Sequence, residues 1–429
     1  MSFNIYISKA SFILLQVFLI IVMLTSCGTT HKIKNELKQH SKENSFFKGF
    51  VLYNPLTKRE IINYNGQKYF IPASNTKLFT FYTAYKTFQD SVASLAYYKT
   101  QDSLIIKGTA DPSFLYNFNS TKVIDFLQKE NNSIYLLDKD IDETPYGSGW
   151  AWDDYQDYYM PEKSLFPVYG NIVKFSIADS LVNTTPSYFK QNIKVVDSVL
   201  ISRELTSNIF YIQKDSKKEN ETPFVTSNLL VAKLLGNQIQ KEIKVIPTLK
   251  KYDFKILRGI HYDELYKQML VISDNFIAEQ LLLQVGKEVT NLYSVKSAIN
   301  YSLTNYLQDL PQKPRWVDGS GLSRYNLFSP NDFIFLLEKM FQEIPLPKLL
   351  NYFPTGGETG TLKKWYGNNK PFVYAKSGTL SNNYNLSGYL ITKKGTLLIF
   401  SYMNNHYQKS TSEIKRTIEK TLKVIYNNY

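Results

Sequence analysis

Residues 70–80 read Phe70-Ile71-Pro72-Ala73-Ser74-Asn75-Thr76-Lys77-Leu78-Phe79-Thr80. This stretch decides how the chain is read. Leu78, Phe79, Tyr82 and Tyr85 recur near the 3.6-residue period, so the spacing predicts a helix from Ser74 to about Phe88. Positions i and i+3 share one helix face, which brings Lys77 within hydrogen-bond reach of Ser74. A serine hydroxyl is a weak nucleophile until a neighbouring base takes its proton. Lysine can be that base only when neutral, and burial or a second cation lowers its pKa. The start of the helix adds backbone N–H donors beside an attacked carbonyl. Ser-x-x-Lys also occurs at Ser45–Lys48, Ser187–Lys190 and Ser412–Lys415. Only Ser74 follows Pro-Ala at the head of an amphipathic helix.

Two further motifs follow in order. Ser273-Asp274-Asn275 opens an apolar helix expected over 275–285. Ser273 reads either as that helix's N-cap or as a hydroxyl relaying a proton, with Asn275 orienting a substrate amide. Lys376-Ser377-Gly378-Thr379 ends a strand expected over 372–379. Glycine there lets a substrate backbone approach closely. Strands are also expected over 50–55, 60–71, 388–392 and 397–403, and Lys393-Lys394-Gly395 is the turn between the last two. Further helices are expected over 226–243, 261–272, 295–307 and 412–425. Ser329-Pro330-Asn331-Asp332 has the capping-box form and starts another.

The trio S-x-x-K, S-x-N and K-[ST]-G is shared by penicillin-binding proteins and class A β-lactamases. The chain resembles the low-molecular-mass, class C penicillin-binding proteins, the D-alanyl-D-alanine carboxypeptidase/endopeptidase family. Residues 70–80, Gly108-Thr-Ala-Asp-Pro112 and Asp318-Gly-Ser-Gly-Leu-Ser-Arg324 are similar to that family's segments. The long interval between Ser74 and Ser273 matches its inserted domains. The resemblance implies an α/β (α+β) fold, an antiparallel sheet with helices, split by a β-rich insertion. It implies that Ser74 attacks a D-Ala-D-Ala carbonyl to form an acyl-enzyme, with Lys77 as base. Ser273 and Asn275 assist proton transfer and orientation. Lys376, Ser377, Gly378 and Thr379 bind the terminal carboxylate region, and the N–H groups of Ser74 and Thr379 form the oxyanion hole. Gly149-Trp-Ala-Trp-Asp-Asp154 resembles a stretch near the pocket for the stem peptide's diamino acid, where Asp154 would pair with an ammonium. Ser377 replaces the family's threonine and keeps the hydroxyl. Peptidoglycan stem peptides are the implied substrate and β-lactam antibiotics the implied inhibitors, with no cofactor and no metal.

The rest of the chain sets the context. It has 429 residues, 43% hydrophobic and 20% charged, which excludes wholesale disorder and allows two or three domains. Cysteine occurs once, so an internal disulfide and a cysteine-rich zinc site are excluded. The folded body holds only His261 and His406 of the four histidines, and no G-x-S-x-G elbow accompanies them. Residues 1–27 read as an export signal, with an apolar run from Phe12 to Leu24 and Leu24-Thr-Ser-Cys27 resembling a lipobox. Cys27 is thus expected to carry lipid. A flexible tether is expected over 28–45, a peptidase domain over 46–97 and 244–429, and an inserted domain over 98–243. The expected address is periplasmic and lipid-anchored to a membrane, on the outer-membrane inner leaflet in a Gram-negative cell. The +13 formal charge then faces anionic lipid or wall polymer rather than nucleic acid. A serine β-lactamase-like hydrolase and a non-catalytic wall-binding lipoprotein of the same fold are the alternatives.

Overall fold

The computed structural model describes Gly28 and residues 30–39, 46–88, 90–178, 181–248 and 251–429. Residues 1–27, with the expected signal and Cys27, lie outside the described residues. Among the described residues no helix is long and apolar enough to cross a membrane.

In chain order the elements begin with helix α1 (30–39), strands β1 (Phe47–Asn54) and β2 (Arg59–Tyr64). Helix α2 (Lys77–Thr87), β3 (Ser91–Lys99), β4 (Ser103–Lys107), α3 (Lys122–Lys129) and β5 (Ser133–Asp138) follow. Next come β6 (Ile172–Ala178), β7 (Leu181–Thr185), β8 (Ile193–Val196), β9 (Phe210–Gln213) and β10 (Asn220–Pro223). Helix α4 (Asn228–Ile239), β11 (Ile243–Pro247), β12 (Lys255–His261), α5 (Tyr262–Val271), α6 (Asn275–Thr290) and α7 (Val295–Asn305) lead to α8 (Pro330–Glu343) and α9 (Leu346–Asn351). Strands β13 (Val373–Leu380), β14 (Asn383–Ile391), β15 (Leu397–Asn405) and helix α10 (Thr411–Asn428) close the chain.

The chain divides into two compact units, one of residues up to Pro72 with Phe328–Leu346 and Pro354–Tyr429, the other of Ala73–Leu327 with Pro347–Phe353. The first is an antiparallel sheet in the order β13-β14-β15-β1-β2. Eight of the nine β14 residues and all nine of β15 are buried, because the sheet is covered on both faces. On one face Ile414, Ile418, Leu422 and Ile425 of α10 join Phe50, Leu52, Leu386 and Phe400 in one apolar cluster. On the other lies α8, where Tyr389 Oη donates to the Leu337 carbonyl at 2.8 Å. Ser329 starts α8 with the expected capping box, its hydroxyl accepting from Asp332 N at 3.2 Å.

The tether expected over 28–45 is corrected over residues 30–39, which are helical. Ile33 and Leu37 are buried in the sheet's apolar cluster. They are an i, i+4 pair, too few positions for a periodicity to stand out among lysines.

The second unit holds a mixed sheet in the order β11-β5-β4-β3-β12. Strand β5 pairs in parallel with both β4 and β11. Its strands run from Ser91 to His261, on both sides of the boundaries expected at 98 and 243. Val123, Ile124 and Leu127 of α3 and Val231, Leu234 and Leu235 of α4 pack on it. Helix α2 has Leu78, Phe79, Phe81, Tyr82 and Ala84 buried, so it is enclosed on more than one side and packs against α5 and α6.

Candidate active site

The Ser74 segment is a strained turn leading into α2. Ala73 has φ +48, a left-handed conformation rare for a residue with a Cβ. A short 3-10 turn, Ala73–Thr76, then feeds the α-helix. Thr76 Oγ1 donates back to the Ala73 carbonyl at 2.9 Å. Such strain persists only where surroundings hold it. Here the loop 318–326 does so: a Cβ at Gly321 (φ +81) would lie 1.9 Å from the Ala73 carbonyl oxygen.

Lys77 is fully buried, and its ammonium meets three acceptors. It reaches Ser74 Oγ at 2.9 Å, Asn275 Oδ1 at 2.6 Å and the Ser320 carbonyl at 2.7 Å. Burial lowers its pKa to about 8, against the pull of Asp318, Glu279 and Asp274, which favour the charged form. A lysine poised there is neutral often enough at mild alkaline pH to take a serine proton.

Asn275 bridges two chains of groups: its Oδ1 accepts from Lys77, and its Nδ2 donates to the Tyr159 carbonyl at 2.9 Å. The reading of Ser273 as N-cap is corrected. Asp274 caps α6, accepting from Ile277 N at 3.0 Å, and its other oxygen accepts from Tyr116 Oη at 2.9 Å. Ser273 stands half-buried at φ +65, one residue before the cap. Enclosure raises the Asp274 pKa.

Sequence reasoning attached no role to Ser320 and did not single out Glu279. Helix α6 carries Glu279 into the interior, where its Oε1 accepts from Ser320 N at 2.7 Å. The Ser320 peptide is therefore held by Glu279 at its N–H and by Lys77 at its carbonyl. Burial and the Asp318 charge raise the Glu279 pKa to about 7, opposed by Lys163. Asp318 accepts from Gly321 N, Ser323 N, Asn326 Nδ2 and Trp150 Nε1, all within 2.9 Å. The D-G-S-G-L-S-R segment is thus a brace for the turn that carries Ser74. The G-x-x-D-P segment is held by the same helix: Gln284 and Gln280 of α6 donate to the Thr109 and Ala110 carbonyls at 3.2 Å.

Asp154 sits on a 3-10 turn, Trp152–Gln156, five residues before Tyr159. Partial burial raises its pKa, opposed by a hydrogen bond from Tyr159. His261 caps α5, its Nδ1 accepting from Asp263 N at 3.1 Å.

Lys376, Ser377, Gly378 and Thr379 belong to the other unit, on β13. Three of them are buried: Lys376, Ser377 and Gly378. Lys376 Nζ donates to the Ser377 carbonyl at 2.7 Å, and Ser377 Oγ to Thr361 Oγ1 at 2.8 Å. Gly378 pairs with Asn385 in the β13–β14 ladder.

The model of the D-Ala-D-Ala carboxypeptidase 3 (S13) family matches residues 30–208 and 260–428. D-alanyl-D-alanine carboxypeptidase DacB of Haemophilus influenzae is 25% identical, covering 86% of this chain and 87% of its own. Penicillin-sensitive carboxypeptidase A of Dictyostelium discoideum is 23% identical over 84% and 82%. The crystal structure of penicillin binding protein 4 (dacB) from Haemophilus influenzae superposes with a TM-score of 0.72 at 21% identity, covering 91% of this chain and 99% of that one. The fold is therefore that of penicillin binding protein 4, and the chain belongs to the S13 family.

Proposed function

We propose that this S13 family member is a serine-type D-alanyl-D-alanine carboxypeptidase/endopeptidase acting on peptidoglycan stem peptides through an acyl-enzyme on Ser74. The observation that carries the reading is the 2.9 Å contact between Ser74 Oγ and a buried Lys77 whose pKa falls to about 8.

In its neutral form Lys77 accepts the Ser74 proton as Oγ attacks the penultimate D-Ala carbonyl carbon. The tetrahedral oxyanion collapses, the C–N bond breaks, and the leaving amine takes a proton through Ser273. Asn275 orients the peptide amide. Water, deprotonated by Lys77, then attacks the ester and returns the proton to Ser74. Lys376, Ser377, Gly378 and Thr379 enter through their motif, as the ligands of the terminal carboxylate, and Asp154 as the partner of a diamino-acid ammonium. β-Lactams acylate the same serine and leave slowly.

The chain works outside the cytoplasm, tethered by a lipid on Cys27, and incorporation of labelled palmitate lost in Cys27→Ser tests the tether. The activity is tested by D-Ala release from a pentapeptide stem. Wild type is expected to release it and Ser74→Ala to release none. Release by Ser74→Ala at the wild-type rate would refute the mechanism. Rapid hydrolysis of penicillin by wild type, without peptide cleavage, would favour the β-lactamase-like alternative.

A further inference from the structure

Strand β1 alternates in the usual way, with Lys48, Phe50 and Leu52 on one face and Phe46 just before it. Phe46, Phe50 and Leu52 belong to the apolar cluster under α10. Lys48 occupies the same face and is 2% exposed. A buried ammonium is costly unless a partner of opposite charge or a hydrogen-bond acceptor meets it. Among the described residues none does: its contacts are the Phe46 ring, 4.8 Å from Nζ to the centroid, and the repulsion of Lys409.

A cavity of about 220 Å³ opens at this point, lined by Lys48, Lys409, Arg416, Glu413 and Thr417 among others. Glu413 is committed elsewhere. Its Oε2 accepts from Ser410 N at 3.1 Å and from Ser410 Oγ at 3.0 Å, closing the capping box of α10. Those Ser410 hydrogen bonds, and more weakly Lys409 and Arg416, hold its carboxyl below the ordinary range. Three cations therefore converge on the cavity against one acid.

We infer that this cavity binds a phosphate-type oxyanion, held by Lys48 from below and by Lys409 and Arg416 at the rim. A tetrahedral oxyanion offers a separate oxygen to each of three cations, whereas a carboxylate has two. The guanidinium fork of Arg416 suits such a group. Burial and Lys409 lower the Lys48 pKa to about 8, and a bound anion would draw it back up. The phosphate is either free or the headgroup of an anionic lipid, and both present the same oxygens.

The test is thermal melting of the whole protein with orthophosphate at fixed ionic strength. Wild type is expected to gain several degrees in millimolar phosphate and nothing in chloride. Lys48→Met, similar in volume and uncharged, and Arg416→Gln, an exposed substitution that leaves the fold intact, should each weaken phosphate binding at least tenfold. Lys420→Gln, an exposed position outside the cavity lining, should retain it. Equal stabilisation by chloride, or full phosphate binding in both cavity variants, would overturn the proposal. Sedimentation with phosphatidylglycerol vesicles separates the two sources. Binding that Lys48→Met weakens and orthophosphate competes away identifies a lipid headgroup. Phosphate binding with no such effect on vesicles identifies a free or polymer phosphate.

Discussion

Lys77 and Lys48 are both buried, and burial brings both to a pKa of about 8. Their surroundings differ completely. Around Lys77 stand three hydrogen-bond acceptors, with Asp318, Glu279 and Asp274 near enough to favour its proton. Around Lys48 stand an aromatic ring, Lys409 and Arg416, with Glu413 held by Ser410. The first site is satisfied in either protonation state, which is what a base that takes and returns a proton requires. The second is satisfied only when something negative arrives. A shifted pKa by itself therefore does not identify a catalytic lysine. What separates the two lysines is the set of acceptors around Lys77, above all the serine hydroxyl among them.

The comparison is broken most sharply by removing each amine. Lys77→Met is expected to slow acylation by penicillin about 10³-fold, in the range for loss of a general base. Stopped-flow acylation rates decide this, and a loss under tenfold would remove Lys77 as the base. The brace comes next. Gly321→Ala adds a Cβ that collides with the Ala73 carbonyl at a positive φ, and is expected to cost at least about 1–3 kcal/mol by urea denaturation. An unchanged midpoint would mean the 318–326 loop does not hold the nucleophile turn. Lys48→Met, in the absence of phosphate, is expected to raise stability by about 1–2 kcal/mol, because an uncompensated buried charge gives way to packing. A lower melting temperature would show that Lys48 already has its partner.

The smallest effect concerns pH. Acylation in wild type should rise with pH through about 8, as Lys77 loses its proton. The Glu279 carboxylate favours the Lys77 proton, so Glu279→Gln should move that midpoint to lower pH by less than one unit. Stability offers an independent reading. Glu279 has its pKa raised from 4.5 to about 7, so the folded state holds a proton that the unfolded chain releases. That contribution is full below pH 4.5 and is lost as pH rises through 7. Glu279→Gln should flatten this slope, and an unaltered slope would place the titration elsewhere.

Much of the site was legible because its chemistry demands short-range spacing. Ser74 and Lys77 lie one helical turn apart, and the Ser329 capping box is a four-residue pattern. What the sequence concealed depends on distant chain. Glu279 looks like one more polar position on an amphipathic helix until residues 319–321 are packed against it. Asp274, not Ser273, caps α6, since either side chain fits the cap and only the backbone decides. Strand β14 starts at Asn383, earlier than the expected 388, because Asn385 and Ser387 are polar yet buried in the sheet. The parallel pairing of β5 with β11 joins residues over a hundred positions apart, beyond any local signal.

Intact mass of the protein after incubation with benzylpenicillin, for wild type and Ser74→Ala, tests the central claim most directly. One stable penicilloyl adduct on wild type and none on Ser74→Ala is the predicted result. An adduct on both proteins, or none on wild type with the penicillin left intact, would contradict the assignment of Ser74 as the acylated nucleophile.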